Sequence, residues 1–150
     1  MTLSIRPALP EDAVDCAAIL SHWIDDTAWM PRVHTPDDER AFLRDLIKRG
    51  WVTVAVQDRQ LAGFLASDGP EIHALYLAKD KRAKGIGTRM LGRVKQTQDA
   101  LFLWTFQANL PAQKFYLRQG FREVDRTDGN GNDEGLPDIR YEWSKPDEQS

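Results

Sequence analysis

The run Arg82-Ala83-Lys84-Gly85-Ile86-Gly87 constrains the fold of this chain more than any other segment. It follows an apolar stretch typical of a strand, Ile72 to Leu77, and it precedes a helical pattern over Thr88 to Thr97. Closely spaced glycines let the backbone approach an anion, and a helix start presents unpaired N–H groups and the positive end of the helix dipole. The run therefore predicts a strand, an anion-binding loop and a helix in succession, with a pyrophosphate as the expected anion.

The charge around this run is opposite to that of the whole chain. The 150 residues carry a net charge of −3, but the segment from Lys79 to Lys95 has seven basic residues and only one acidic residue, Asp80. An anionic ligand would be steered toward such a segment, although a solvated helix face or a nucleic-acid surface would have the same composition. Because the rest of the chain is acidic and no aromatic platform accompanies the segment, we rank nucleic acid below a small anion.

A second motif lies downstream, between Asn109 and Phe121. It has an asparagine just before a predicted helix, an aromatic pair Phe115-Tyr116 within that helix, and Gly120-Phe121 after it. The tyrosine is positioned where the thiol end of a carrier could lie. The two motifs together favour coenzyme A over a simple nucleotide.

Hydrophobic periodicity and turn residues predict the remaining elements. A second helix is the best marked, with Thr35 as N-cap, Pro36 at the first position, Phe42, Leu43, Leu46 and Ile47 as the apolar stripe, and Gly50 as C-cap. The apolar run Leu101 to Phe106 follows a crossover helix, which predicts a strand parallel to its predecessor. The other predicted elements are a strand over Leu3–Pro7, a helix opening at Pro10, strands over Trp51–Gln57, Leu61–Ser67 and Glu71–Leu77, a helix over Pro111–Gln119, and strands over Phe121–Asp125 and Ile139–Trp143.

Length and composition predict a single domain spanning residues 1–150, in which the polar residues 145–150 form a frayed tail. No apolar run is long enough for a membrane helix, and the N-terminus lacks the pattern of a secretory signal, so we expect a cytoplasmic protein without a membrane partner. The lone Cys16 and the scattered His22, His34 and His73 lack metal-ligand spacing, so no metal is expected.

The order of elements and the two motifs resemble the GNAT superfamily of acetyl-CoA-dependent N-acetyltransferases. The family's glycine motif is met by Arg82 to Gly87, and its second motif by Asn109, Ala112, Phe115-Tyr116 and Gly120-Phe121. The resemblance covers most of the chain. It implies an α/β (α+β) fold with a mixed, mostly antiparallel sheet of six to seven strands, a parallel splayed central pair and about four flanking helices.

The resemblance also implies where acetyl-CoA binds. Backbone amides of the glycine loop and helix start would hold the pyrophosphate, and the pantetheine arm would pair with the end of the strand before them. A bulge in that strand end would aim an amide at the thioester oxygen, and Asn109 would contact the arm from the other side. The implied cofactor-binding residues are Leu75, Tyr76, Leu77, Arg82, Ala83, Lys84, Gly85, Ile86, Gly87, Thr88, Asn109 and Tyr116.

The resemblance implies that an amine attacks the acetyl group directly, through a tetrahedral intermediate and without a metal. An alkyl ammonium has a pKa of about 10.4, so a base or a water relay must remove a proton near neutral pH. Glu71 and His73 are the candidate bases, with Glu71 slightly favoured, because both lie on the strand that enters the site and share one face. Tyr116 would donate a proton or a hydrogen bond to the departing thiolate.

Of all parts of the predicted function, the sequence determines the identity of the acceptor least. The segment joining the first two helices usually lines the acceptor side in this superfamily, and here its candidates are Asp26, Trp29, Met30 and Arg32. Small amines, amino acids, antibiotics and protein N-termini all stay open, as do monomer and homodimer. The leading hypothesis is an N-acetyltransferase acting on a primary amine. The alternatives are a noncatalytic acyl-CoA-binding or regulatory module on the same fold, or a nucleic-acid-binding domain using the Lys79–Lys95 segment.

Overall fold

The computed structural model describes residues 2–146 and has the predicted class of fold, a mostly antiparallel sheet with one parallel pair and four α-helices. The seven strands lie in the order β1-β2-β3-β4-β5-β7-β6, and only β4 and β5 are parallel. The elements along the chain are β1 (Leu3–Pro7), α1 (Ala13–Asp26), α2 (Pro36–Lys48), β2 (Val52–Gln57), β3 (Gln60–Asp68), β4 (Glu71–Leu77), α3 (Ile86–Lys95), β5 (Ala100–Phe106), α4 (Leu110–Arg118), β6 (Arg122–Thr127) and β7 (Asp138–Ser144).

Helices cover the two faces of the sheet in different regions. α1 and α2 pack on β2 and β3 through a core that includes Cys16, Leu43, Val54 and Phe64. α3 and α4 pack on the opposite face, where Leu91 and Tyr116 join β5 and β7 side chains. The sheet therefore separates two helical layers, and a ligand that passes between β4 and β5 reaches both sides.

The ends of α2 form as the sequence predicts. The Thr35 hydroxyl accepts a hydrogen bond from Asp38 N, the Asp38 carboxylate accepts one from Thr35 N, and Gly50 adopts a positive φ of 79° after the helix. The prediction is wrong for one member of the apolar stripe, because the Phe42 side chain is 49% exposed. It lies at the margin of the stripe, while Leu43, Leu46 and Ile47 face the core.

The first helix begins later than predicted. Pro10 opens a single 3-10 turn, Pro10–Asp12, and α1 starts only at Ala13. The buried Asp12 carboxylate fixes this turn, because it accepts hydrogen bonds from Leu9 N at 2.7 Å and from an Arg6 guanidinium nitrogen at 2.8 Å. The turn is thereby tied to β1, which carries Arg6.

Strand β4 contains a bulge where it pairs with β3. Its pairing with β3 runs regularly from Leu77 to Ala74 and then shifts, so that Ser67 pairs with Ile72 and His73 is the extra residue. The bulge expected from the resemblance at Leu75–Leu77 therefore lies earlier, at His73. Because a bulge inverts the alternation of side chains, Ala74 and Tyr76 pack against the α1–α2 core, whereas Leu75 and Leu77 pack against α3.

The predicted tail begins at a residue that is bound to the sheet. Lys145 N donates a 2.7 Å hydrogen bond to the Asp99 carbonyl, which precedes β5. Residues 147–150 of the predicted tail lie outside the described residues.

Replacing Asp12 with Asn should lower the free energy of unfolding by about 1–2 kcal/mol at neutral pH, since Arg6 loses its charged partner but is itself partly exposed. The hydrogen bond from Arg6 lowers the pKa of Asp12 below its ordinary 3.8. This stabilisation is present above pH 3.8 and is lost as the pH falls through the lower pKa of the folded protein. Urea unfolding of both proteins between pH 2 and 7 measures the difference.

The matched control is Asp45→Asn, which removes a pair with Arg49 whose two side chains are 55% and 54% exposed. We expect a change below about 0.5 kcal/mol for this variant. Equal effects of the two substitutions would contradict the role assigned to Asp12.

Candidate active site

The two parallel strands pair only at their beginning. Glu71 is in register with Phe102, and Phe102 N donates to the Pro70 carbonyl at 2.9 Å, after which β4 and β5 diverge. The divergence leaves one edge of Leu75 to Leu77 without a strand partner. A cleft of about 590 Å³ occupies this gap and is lined by Trp23, Leu75, Tyr76, Leu77, Arg82, Ala83, Gly85, Gly87, Thr88, Asn109, Pro111, Ala112, Phe115, Tyr116, Arg118 and Gln119.

The loop before α3 has the backbone geometry of an anion-binding site. Ala83 and Gly85 both adopt left-handed conformations, with φ values of 60° and 82°. Gly85 is the N-cap of α3 and supplies no side-chain cap, so the first N–H groups of the helix have no partner within it. A Cβ at Gly85 would meet no protein atom within 4 Å, so a ligand can approach the backbone there. The loop therefore fits a bound pyrophosphate.

The second glycine of the motif has a further role. A Cβ at Gly87 would lie 3.3 Å from Phe115 Cζ, so this glycine also allows α3 to pack closely against α4. The side chain of Ile86 is buried in the core with Met90, which leaves only its backbone to contact a ligand. Lys84 is exposed and does not line the cleft.

Most basic residues of the Lys79–Lys95 segment have partners within the protein. Arg82 Nε donates to the Leu77 carbonyl at 3.2 Å and so joins the loop to the end of β4. The partners of the other four are Asp26 for Lys79, Gln57 for Lys81, Ile5 O for Arg93 and Gln119 O for Lys95. Within residues 2–146 this leaves Lys84 and Arg89 without a partner, so the segment is less available to an extended polyanion than its composition indicates.

Helix α4 carries Asn109 and Tyr116 to the wall of the cleft. Asn109 is also the N-cap of α4, where its Oδ1 accepts a 3.2 Å hydrogen bond from Ala112 N. Tyr116 is buried among Phe115, Phe121 and Tyr141, and burial raises the pKa of its phenol, with Tyr76 as the second cause. The Tyr116 phenol therefore stays protonated. No hydrogen bond to another residue within 2–146 uses its donor, so the hydroxyl can donate to a ligand.

A smaller chamber of about 80 Å³ adjoins the cleft and shares Trp23, Leu75, Tyr76, Asn109, Ala112 and Tyr116 with it. His73 lines this chamber, whereas Glu71 lines neither cavity. The imidazole stacks on Trp51 with ring centroids 5.2 Å apart and planes 6° apart, and its Nδ1 lies 3.8 Å from Glu71 Oε2. The two candidate bases are thus neighbours, but only His73 reaches the chamber.

Thr105 on β5 also lines the chamber and was missed by the sequence reasoning. Its hydroxyl is buried and has no hydrogen-bond partner among residues 2–146. A buried hydroxyl without a partner destabilises a folded protein by about 1–3 kcal/mol. A threonine in an apolar strand gives no signal of this kind, because only the packing decides whether its hydroxyl is paired.

The structure assigns different surroundings to the four acceptor candidates. Arg32 is held by Asp25, Glu39 and Ser21, so its guanidinium fixes the α1–α2 connection. The Trp29 ring contacts Phe106 at the end of β5 and Trp23, and Trp23 in turn contacts Tyr76 on β4. Asp26 lies 4.0 Å from Lys79. Met30 is partly buried, and its N–H donates to the Thr27 carbonyl.

None of these four residues lines either cavity. Trp29 still bridges the ends of the diverging strands through its aromatic neighbours. The sequence did not identify three of the residues that line the cleft, Trp23, Arg118 and Gln119. Their spacing on the predicted helices was the only feature of the sequence that could have placed them there.

Two further properties concern the described part of the chain as a whole. No group of three or more His, Cys, Asp or Glu side chains in residues 2–146 is arranged to hold a metal ion. None of the helices in that range is long and apolar enough to cross a membrane.

The comparisons with known proteins agree with the fold. The family model described as the acetyltransferase (GNAT) domain matches residues 19–145. The chain therefore belongs to the GNAT family and is an acetyltransferase by class.

Among curated relatives, the peptidyl-lysine N-acetyltransferase YiaC of Escherichia coli K12 is 31% identical in an alignment of 119 positions that covers 72% of this chain and 77% of YiaC. The peptidyl-lysine N-acetyltransferase YjaB of the same organism is 25% identical over 129 residues, 85% of this chain and 88% of YjaB. The solution structure of apo YjaB superimposes with a TM-score of 0.80 at 22% identity, covering 97% of this chain and all of that one.

A structure of yncA from Salmonella typhimurium with its cofactor acetyl-CoA has a TM-score of 0.75. It is 16% identical and covers 100% of this chain and 98% of yncA, so the likeness concerns the fold.

Replacing Thr105 with Val should raise the free energy of unfolding by about 1 kcal/mol and the Tm by about 2–4 °C, because it removes an unpaired buried hydroxyl at nearly constant volume. Thr127→Val is the matched control, for which we expect a change in the free energy of unfolding of the opposite sign. Its hydroxyl is hydrogen-bonded to Asp138 and to Gly129 N, so we expect destabilisation. A lower Tm for Thr105→Val would show that this hydroxyl has a partner in solution.

Proposed function

We propose that this protein transfers acetyl from acetyl-CoA to the amine of a lysine side chain in a peptide or protein. The observation that carries the proposal is the meeting of the open cleft and the smaller chamber at Tyr116. A long carrier and an amine can approach each other there from opposite sides of the sheet. The peptide acceptor is supported by YiaC and YjaB, both of which are peptidyl-lysine N-acetyltransferases.

The carrier would lie along the cleft with its diphosphate at the start of α3. The N–H groups after Gly85 would donate to the diphosphate, and the open edge of Leu75 to Leu77 would pair with the amides of the arm like an added strand. When bound, acetyl-CoA supplies a thioester whose carbonyl carbon accepts the amine.

Tyr116 would act on the departing sulfur. Because burial keeps its phenol protonated, the hydroxyl can donate a hydrogen bond that strengthens as the sulfur becomes negative. The C–N bond forms first, and the C–S bond then breaks with its electron pair going to the sulfur, while the nitrogen releases its second proton to solvent.

His73 would remove the proton from the incoming ammonium. It lines the chamber, and the Trp51 stack fixes its ring plane. Glu71, 3.8 Å away, would stabilise the imidazolium as a positioning residue and not as the direct base. We therefore favour His73 over Glu71, which the sequence slightly favoured, because only His73 lines the chamber.

The test of the proposal is the release of thiol from acetyl-CoA in the presence of lysine-containing peptides, free amino acids and small amines. Release that depends on the peptide, with acetyl-lysine found by mass spectrometry, is the expected result. Saturable binding of acetyl-CoA without release across the panel would favour the noncatalytic module instead. No thermal stabilisation by acetyl-CoA well above micromolar concentrations would remove the cofactor proposal.

Tyr116→Phe should lower kcat by about 10- to 100-fold and change the Kd of acetyl-CoA by less than about threefold, because the lost hydrogen bond strengthens only as the sulfur leaves. Steady-state kinetics and calorimetry measure the two quantities. Tyr141→Phe is the control, since Tyr141 lies in the same cluster, 6.5 Å from the Tyr116 ring, and lines neither cavity. Unchanged turnover of Tyr116→Phe would exclude the tyrosine from the mechanism.

His73→Gln should lower kcat/KM for the peptide by about 100-fold or more near neutral pH, because no other chamber side chain replaces it as a base. Glu71→Gln should have a smaller effect, since it leaves the imidazole in place. His22→Gln, an exposed position on α1, is the control. A larger loss for Glu71→Gln than for His73→Gln would return the base to Glu71.

A further inference from the structure

The cleft has two different ends, and α4 runs between them. Asn109, before the first turn of α4, lines both the cleft and the chamber, whereas Arg118 and Gln119 at the other end line only the cleft. The helix has nine residues and is therefore about 13 Å long. The end of the cleft at Arg118 is thus remote from Asn109 along the helix, and Arg118 does not line the chamber.

The remote end lies beside the start of α3. The Gln119 side chain donates a 2.9 Å hydrogen bond to the Thr88 hydroxyl in the first turn of α3. The Gln119 carbonyl accepts a 2.6 Å hydrogen bond from Lys95 Nζ, and this ammonium also lies over the rings of Trp143 and Phe121. These contacts hold the last turn of α4, and with it the backbone of Arg118, next to the anion-binding loop.

Arg118 supplies a cation at this position that is available to a ligand. No ion pair or hydrogen bond joins it to another residue within 2–146, and it is one of two basic residues that line the cleft. The other, Arg82, uses its Nε to bind the end of β4. The sequence indicated that the Lys79–Lys95 segment supplies the charge for the anion, but five of those seven side chains have partners within the protein. The cation that faces the cleft without a partner comes from a different element.

We propose that Arg118 binds a phosphate of the adenosine half of coenzyme A and so contributes to selecting this carrier over shorter thioesters. The inference rests on the proposed function, because it requires that coenzyme A occupies the cleft. A guanidinium donates two parallel hydrogen bonds to a phosphate, and the anchored last turn of α4 limits the ordering cost of binding. Two phosphate groups have the required chemistry, the diphosphate at the α3 start and the 3′-phosphate of the ribose.

The test compares the Kd of coenzyme A and of 3′-dephospho-coenzyme A by calorimetry for the wild type and Arg118→Gln, with the Tm of each free protein as a check on folding. We expect Arg118→Gln to bind coenzyme A about 10- to 100-fold more weakly, with an unchanged Tm. If the weakening is confined to coenzyme A, the contact is to the 3′-phosphate. If it is equal for both ligands, the contact is to the diphosphate.

The matched control is Arg89→Gln, which removes the same charge from the first turns of α3 at a position that does not line the cleft. We expect less than about a twofold effect at 0.15 M salt, where screening weakens charges without a direct contact. Wild-type affinity of Arg118→Gln for coenzyme A, or an equal loss in Arg89→Gln, would overturn the inference while leaving the proposed function intact. A wild type that binds no coenzyme A would overturn both.

Discussion

The divergence of β4 and β5 is the constraint on which the rest of the site depends. Each strand is paired on its other side, β4 with β3 except at the His73 bulge and β5 with β7 along its whole length, so the sheet stays continuous although the two strands meet only at Glu71 and Phe102. The bulge at His73 contributes to the divergence, because a bulge bends and twists the strand that contains it. Past the bulge, the backbone of β4 has an open edge, and the cleft follows it. A continuous parallel pair would leave no passage between the two helical layers.

The bulge also determines which side chains share a face. Without it, Glu71, His73, Leu75 and Leu77 would alternate regularly with their neighbours. With it, His73 lines the chamber, while Ala74 and Tyr76 pack toward α1 and α2, and Tyr76 meets Trp23. One inserted residue therefore brings His73 to the chamber and keeps the Tyr76 and Trp23 rings beside it. Thr105, whose buried hydroxyl has no partner among residues 2–146, lines the same chamber from β5.

Sequence patterns predicted the elements well where the signal is local. Thr35, Pro36 and Gly50 mark α2, and the strand Glu71–Leu77 has the bounds that its apolar run predicts. The glycine motif and the Asn109–Phe121 motif indicated the loop and the helix that face the cleft. They did not reveal the second function of Gly87, which is close packing against Phe115, or the contacts by which Arg32 joins Asp25 of α1 to Glu39 of α2. These contacts join different helices, so the periodicity within one helix does not predict them.

The sequence by itself determined the class of fold, the anion-binding loop and the tyrosine of the second motif. Backbone conformations and helix ends depend on a few neighbouring residues, so they can be recognised from the chain alone. The tertiary structure decided which candidate base reaches the chamber, which basic residues already have partners, and which cation faces the cleft. Those properties depend on strand register, on the position of a single bulge and on side chains brought together from separate elements. Arg118 and His73 acquire their surroundings only when the sheet and helices have assembled.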